Sequence, residues 1–174
     1  MAHLRESGLA PSDVAAIPAA AGGPKGLALV PLDKLLYREW LPRDGTPIEL
    51  LGASVGAWRM AALAQRDPLA ALDRLVHAYV HDQNYAAKPS PAEVAAACRR
   101  IARAVLGERP LEVRDGISLT VITSRARGPL AGAESKLAFA RATLSNAVAR
   151  ERLAAHLERV LFVAGPPGFM REPF

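Results

Sequence analysis

Apolar positions in this chain follow two periods, short continuous runs and longer stretches at helical spacing, and the two take turns along the sequence. Val14-Ala15-Ala16-Ile17-Pro18-Ala19-Ala20 reads as a short buried strand. Pro18 has no amide to give to a ladder, which places that strand at a sheet edge or a bulge. A helix is predicted over 25–40, where Leu29, Leu32, Leu36 and Trp40 recur at helical spacing. Pro42, Asp44-Gly45 and Pro47 mark the next turn. Ile48-Glu49-Leu50-Leu51 reads as a second strand, leading into a helix over 57–66.

Asp67-Pro68 starts another helix, predicted to reach residue 81, with Asp as cap and Pro preset for the first helical position. Ser90-Pro91-Ala92-Glu93 has the form of a capping box and opens a helix to 106, closed by Gly107. Asp115-Gly116 turns into Ile117-Ser118-Leu119-Thr120-Val121-Ile122-Thr123, a strand by its β-branched content. A helix is predicted over 133–156, its Leu137, Leu144 and Val148 packing on the sheet from one side. Arg159-Val160-Leu161-Phe162-Val163 reads as a fourth strand, followed by Gly165-Pro166-Pro167-Gly168. Strands alternating with helices predict an α/β domain with a mainly parallel sheet and helices on both faces. A single domain is expected over 1–174, cut after its fourth strand and before its next element.

Composition narrows the partners. With 174 residues, 51% hydrophobic and 22% charged, the chain can build one real core, and at 5% aromatics that core must be mostly Ala, Leu and Val. A net charge of +5 would suit an anionic partner, yet the basic residues are dispersed and often sit beside acids, as in Arg150-Glu151-Arg152 and Glu158-Arg159. Arg99-Arg100 is the densest pair, and nucleic acid is not expected as a partner. The single cysteine, Cys98, excludes an internal disulfide and a cysteine-based zinc site. In its alanine-rich stretch a small buried thiol is expected, in keeping with a cytoplasmic protein. Residues 1–12 lack the continuous apolar region of a signal peptide, and no stretch approaches the roughly 20 apolar residues that span a bilayer.

The chemistry concentrates in two glycine-framed turns. Gly52-Ala53-Ser54-Val55-Gly56 has the G-x-S-x-G spacing of a strained strand-to-helix corner that lifts a serine oxygen above a sheet. At such a corner Ser54 would be the nucleophile, with Gly52 and Gly56 supplying room and the following helix dipole stabilising negative charge. An ordinary glycine-rich turn is the alternative. Gly22-Gly23-Pro24-Lys25-Gly26 also lies between strand and helix. It lacks the serine or threonine of a phosphate loop and the spacing of a dinucleotide turn, so it reads as a candidate oxyanion site to which Lys25 adds positive charge.

Other candidates weigh less. Ser54, Asp115 and His156 follow the chain order of an α/β-hydrolase triad, but only one strand precedes the serine's own and His156 falls in a predicted helix. Asp115-Gly116 is better read as a turn. His77 and His81 are four apart on a helix, a metal-capable spacing, although a solvated face is favoured. His3 belongs to a terminus expected to be mobile. Arg59 would meet an anionic head group or, as favoured, pair with an acid on the surface.

The two turns together resemble the patatin-like phospholipase family, whose pattern is G-G-G-x-[R/K]-G, then G-x-S-x-G, then Asp-Gly-[Gly/Ala]. The stretch Gly52-Ala53-Ser54-Val55-Gly56-Ala57-Trp58-Arg59 with Ala64-Gln65-Arg66-Asp67-Pro68 is similar to a bacterial branch of that family, and the likeness extends to about residue 163. It implies a three-layer α/β fold and a serine acyl hydrolase acting on lipid or other carboxylic esters. Ser54 would be the nucleophile, Gly22, Gly23, Lys25 and Gly26 the oxyanion turn, and Gly52 and Gly56 the elbow. No metal or organic cofactor is implied, and peripheral membrane contact is compatible with such a substrate. Two departures stand out: Ala21 takes the first glycine position, and Pro24 has no N–H to donate. The family's catalytic Asp has no counterpart in the chain, so weak or no hydrolysis is expected from it alone. The alternative reading is a non-catalytic module that binds an anionic ligand or a partner chain.

Overall fold

The computed structural model describes residues 2–41, 46–108, 111–131 and 136–166. The expected turn at Pro42 and Asp44-Gly45, the expected helix start at Ala133 and the terminal Pro167-Gly168 lie outside these residues. Four strands form, β1 (Ala16–Ala19), β2 (Ile48–Ala53), β3 (Ile117–Ala126) and β4 (Leu157–Ala164), in the sheet order β1-β2-β3-β4. β1 stands at the end of that order, where Pro18 costs no ladder bond. It pairs with β2 in parallel, Ala16 opposite Glu49 and Ala19 opposite Gly52. β4 runs antiparallel to β3: the Arg127 N–H donates to the His156 carbonyl at 2.7 Å, and Thr123 Oγ1 donates to that of Val160 at 3.1 Å. The class is α/β with a mostly parallel, mixed sheet.

The chain divides into two compact units, Met1–Val121 with Val163–Phe174, and Ile122–Phe162. In the first, α3 (Val55–Leu63), α4 (Pro68–His81) and α5 (Pro91–Leu106) share a core with the sheet. Ile48 and Leu50 of β2 and Ile117 and Leu119 of β3, each pair two apart and so on one face, meet Met60, Leu63, Leu72, Leu75, Ile101 and Val105. The opposite face of the same strands carries Glu49, Ser118 and Thr120, all buried. Glu49 accepts a hydrogen bond from Thr120 Oγ1 at 2.7 Å, as a carboxylate removed from water requires.

The helix ends follow their caps. Asp67 accepts from the Ala70 N–H at 3.1 Å, and Ser90 Oγ from the Glu93 N–H at 3.2 Å. The capping box is only half made, because the Glu93 carboxylate accepts from the Ala86 N–H instead. Gly107 ends α5 at φ +76°, its N–H donating to the Arg103 carbonyl. The inward stripe of α5 is Ala97, Ile101 and Val105, spaced by four. Cys98 lies about 100° round from that stripe and is exposed, contrary to the expected buried thiol.

Where one helix was expected over 25–40, three pieces form: a 3₁₀ segment Gly23–Leu29, α2 (Val30–Leu35) and a single π turn Leu36–Trp40. Pro31 has no amide for a helix interior, so the α-helical piece starts beside it. The tighter first piece rotates the apolar stripe: Val30 and Asp33 turn inward, while Leu29, Leu32 and Leu35 are exposed. At the N-terminus, Ala2–Ser7 forms a short helix, α1.

The second unit holds α6 (Lys136–Val148) and a 3₁₀ turn Arg150–Ala155 between the ends of β3 and β4. The helix expected over 133–156 breaks at Ala149, which is extended at φ −158°, ψ 127°. Leu137 and Leu144, expected to pack on the sheet, are 76% and 66% exposed, and α6 buries the small Ala142 instead. Glu158 joins Arg127 through two contacts, 3.1 Å to Nε and 2.8 Å to Nη2. That hydrogen-bonded guanidinium holds the carboxyl below its ordinary value. A smaller desolvation effect opposes it, and Coulombic attraction from Arg127 and Arg125 adds to it. Among the described residues no helix is long and apolar enough to cross a membrane.

Candidate active site

The β1–β2 register brings the two glycine-framed turns together. Ala19 lies opposite Gly52, so the chain leaves β1 into Ala20-Ala21-Gly22 and leaves β2, which ends at Ala53, into Ser54 at the same end of two neighbouring strands. Parallel pairing makes this automatic, since both strands point the same way.

Ser54 stands at the corner between β2 and α3 with φ 54° and ψ −126°. It is the one non-glycine with positive φ among the described residues. Such backbone is costly for a residue with a Cβ and persists only where its surroundings fix it. Two surroundings do so here. Its carbonyl accepts the Ala57 N–H at 2.9 Å and the Trp58 N–H at 3.4 Å, opening α3. Its flanking glycines admit contacts that no side chain would allow. A Cβ on Gly52 would sit 2.5 Å from the Ala57 Cα; one on Gly56 would strike the Ala19 carbonyl, 2.6 Å from its carbon. Serine at a helix start usually caps with its hydroxyl, but Ser54 makes no such bond and its side chain is exposed. Among the described residues nothing hydrogen-bonds to Ser54 Oγ.

The glycine turn rests on the residue after the serine. Gly23 takes φ +56°, and the 3₁₀ segment it opens lays Gly26 against α3. A Cβ on Gly26 would come within 2.5 Å of Val55 Cγ1. Lys25 is exposed beside it. A cleft of about 530 Å³ runs from this turn along α2, lined by Gly22, Lys25, Leu29, Leu32, Asp33 and Arg59 among others. Ser54 is not part of its lining. The structure thus brings Gly22, Gly23, Lys25 and Gly26 beside Gly52, Ser54 and Gly56, with the apolar cleft on the glycine-turn side.

Behind both turns lies an ion pair that the sequence only half discloses. Arg59 pairs with an acid, but in the interior: Arg59 is 5% exposed and its partner Asp33 3%. The contact is bidentate, Nε to Oδ2 and Nη2 to Oδ1, each 2.6 Å. One signal was available for Arg59, which interrupts an otherwise apolar helical stretch, whereas Asp33 stands beside Lys34. Glu49 was missed likewise, an acid inside an apolar strand run.

The remaining candidates lie elsewhere. His77 and His81 are exposed on α4 with ring centroids 4.9 Å apart. Among the described residues no group of three or more His, Cys, Asp and Glu side chains is placed to hold a metal. Asp115 is exposed in a turn with Gly116 at φ +74°. His156 Nε2 is 3.2 Å from Ser145 Oγ within the second unit and follows the 3₁₀ turn, outside any α-helix. Comparison with protein-family models, curated proteins and solved structures gave no match for this chain.

Proposed function

We propose that this chain carries the nucleophile and oxyanion turn of a patatin-like serine acyl hydrolase acting on carboxylic esters, lipid esters among them. The observation that carries the reading is Ser54 itself: a strained, exposed serine at a strand-to-helix corner, between two glycines that steric contact makes obligatory. The hydroxyl would attack an ester carbonyl, the alcohol would leave, and water would release the acid from the acyl-enzyme. The N-terminus of α3 and the turn Gly22-Gly23 with Lys25 and Gly26 would stabilise the developing oxyanion. A three-layer patatin-like arrangement and a Ser-Asp dyad belong to the same proposal. No carboxylate hydrogen-bonds to Ser54 among the described residues, so turnover by this chain is expected to be weak or undetectable.

Stoichiometric labelling tests this without requiring turnover. A fluorophosphonate probe should modify Ser54 slowly, with the adduct located by peptide mass spectrometry, and Ser54→Ala should abolish it. Absence of any Ser54 adduct after prolonged incubation would favour the second reading, a non-catalytic module holding an anionic ligand at the glycine turn. Brisk turnover of a short-chain nitrophenyl ester would show instead that a general base reaches Ser54.

A further inference from the structure

We propose that Asp33 and Arg59 are positioning residues whose buried ion pair fixes the glycine turn against the serine corner. The inference rests on Ser54 being the nucleophile. α2 is the direct continuation of the 3₁₀ segment that starts at Gly23, and α3 starts at the Ser54 corner. Asp33 and Arg59 therefore join the two helices that follow the two halves of the site. Val30 packs α2 into the core it shares with α3, but apolar packing of this kind does not fix a single orientation. α2 turns Leu32 and Leu35 outward, and Gly26 against Val55 is a contact of a bare backbone with one side chain.

The physical character of the pair suits registry better than stability. Removing two charges from water costs about as much as their attraction returns, so a buried pair adds little net stability. Its geometry is another matter. A planar guanidinium meeting both oxygens of one carboxylate admits essentially one relative orientation, and a lysine ammonium cannot reproduce it. Both contacts are short at 2.6 Å and both side chains are largely withdrawn from solvent, although they also line the cleft beside the glycine turn. A displacement of about 1 Å between nucleophile and oxyanion donors is enough to cost about 100-fold in rate. Asp33 and Arg59 need touch neither substrate nor Ser54 to have that effect.

The test separates position from folding. Wild type, Arg59→Lys and the charge-free double variant Asp33→Leu with Arg59→Met are compared for fluorophosphonate labelling at Ser54, resolved into kinact and KI, alongside thermal melts. The double variant should melt at or above the wild-type temperature, because an apolar pair replaces a desolvated ionic one. Its kinact should fall at least about tenfold with KI nearly unchanged, as expected for misplaced reacting groups. Arg59→Lys should lose kinact as well. A folded double variant with wild-type kinact overturns the proposal, as does a fall in kinact matched by loss of folded protein. Should the double variant not fold, Arg59→Lys decides, and wild-type kinact in it overturns the proposal. If the wild-type protein itself gives no Ser54 adduct, the nucleophile reading fails, an outcome distinct from the others.

Discussion

Replacing Ser54 by glycine should make this protein more stable, whereas replacement by alanine should not. The backbone at Ser54, φ 54° and ψ −126°, is one that glycine adopts freely and that a Cβ makes unfavourable. Holding a non-glycine residue in such a region costs about 1–3 kcal/mol. The hydroxyl returns none of this, since it is exposed and makes no helix cap. Alanine keeps the Cβ and therefore the strain. Glycine removes it, against about 0.4–1 kcal/mol for the greater freedom of the unfolded chain. The net gain is roughly 1 kcal/mol, equivalent to about 2–4 °C in melting temperature for a chain of this size. Paired calorimetric scans of wild type, Ser54→Gly and Ser54→Ala under one buffer provide the measurement. A glycine variant less stable than the alanine variant would refute the strain argument, and with it the main structural support for Ser54 as nucleophile.

Gly56→Ala should be the reverse case, losing about 3 kcal/mol because its Cβ meets the Ala19 carbonyl, which is backbone and cannot swing aside; an unchanged urea midpoint would contradict the close approach. Cys98 should react fully with a thiol reagent in the native protein within minutes, and protection until denaturant is added would contradict its exposure. The Glu158 carboxyl should titrate below its ordinary value of 4.5 when followed by carboxyl-carbon NMR. Its contribution is then complete above the unfolded carboxyl's pKa and disappears as pH falls through the lower folded one, so Glu158→Gln should flatten that part of the acid stability curve. An unshifted titration would contradict the hydrogen bond from Arg127.

Much of the architecture was legible because local rules and tertiary structure agreed. Asp67-Pro68 and Gly107 acted as the helix signals they resemble, and Ile117-Ser118-Leu119-Thr120 became a strand as its β-branching implied. The serine corner was legible because glycines two residues either side of a serine, after an apolar run, leave the backbone room for a corner that bulkier neighbours would block. What failed did so where spacing alone cannot report direction. The stripe Leu29-Leu32-Leu36-Trp40 assumes 3.6 residues per turn; the 3₁₀ segment turned Leu29 and Leu32 outward, while Leu36 and Trp40 pack against the core as expected. Leu137, Leu144 and Val148 align on α6 as expected, yet alignment does not say what the stripe faces. Cys98 and Ala97 are neighbours in sequence, and the choice between them depends on the angle at which α5 settles on its core. The interior placing of Asp33, Arg59 and Glu49 was only partly legible, because the burial of a charge depends on a partner distant in the chain.

The contact of Gly56 with the end of β1 has a consequence for how this chain tolerates change in length. β1 and β2 are parallel, so no tight hairpin sets their alignment. The α3 N-terminus, seated directly on the carbonyl of Ala19, acts as a stop against which β1 is indexed. Adding or deleting one residue between Ile17 and Gly26 would shift the glycine turn by about one strand residue, or roughly 3.3 Å, and reverse the faces of the strand before it. The exposed segment from Asn84 to Lys88 carries no such constraint and should accept insertions freely. Length variation in sequences that share these turns should therefore fall in loops like the one after α4, and the spacing around Ala19 and Gly56 should be held even where the residues differ.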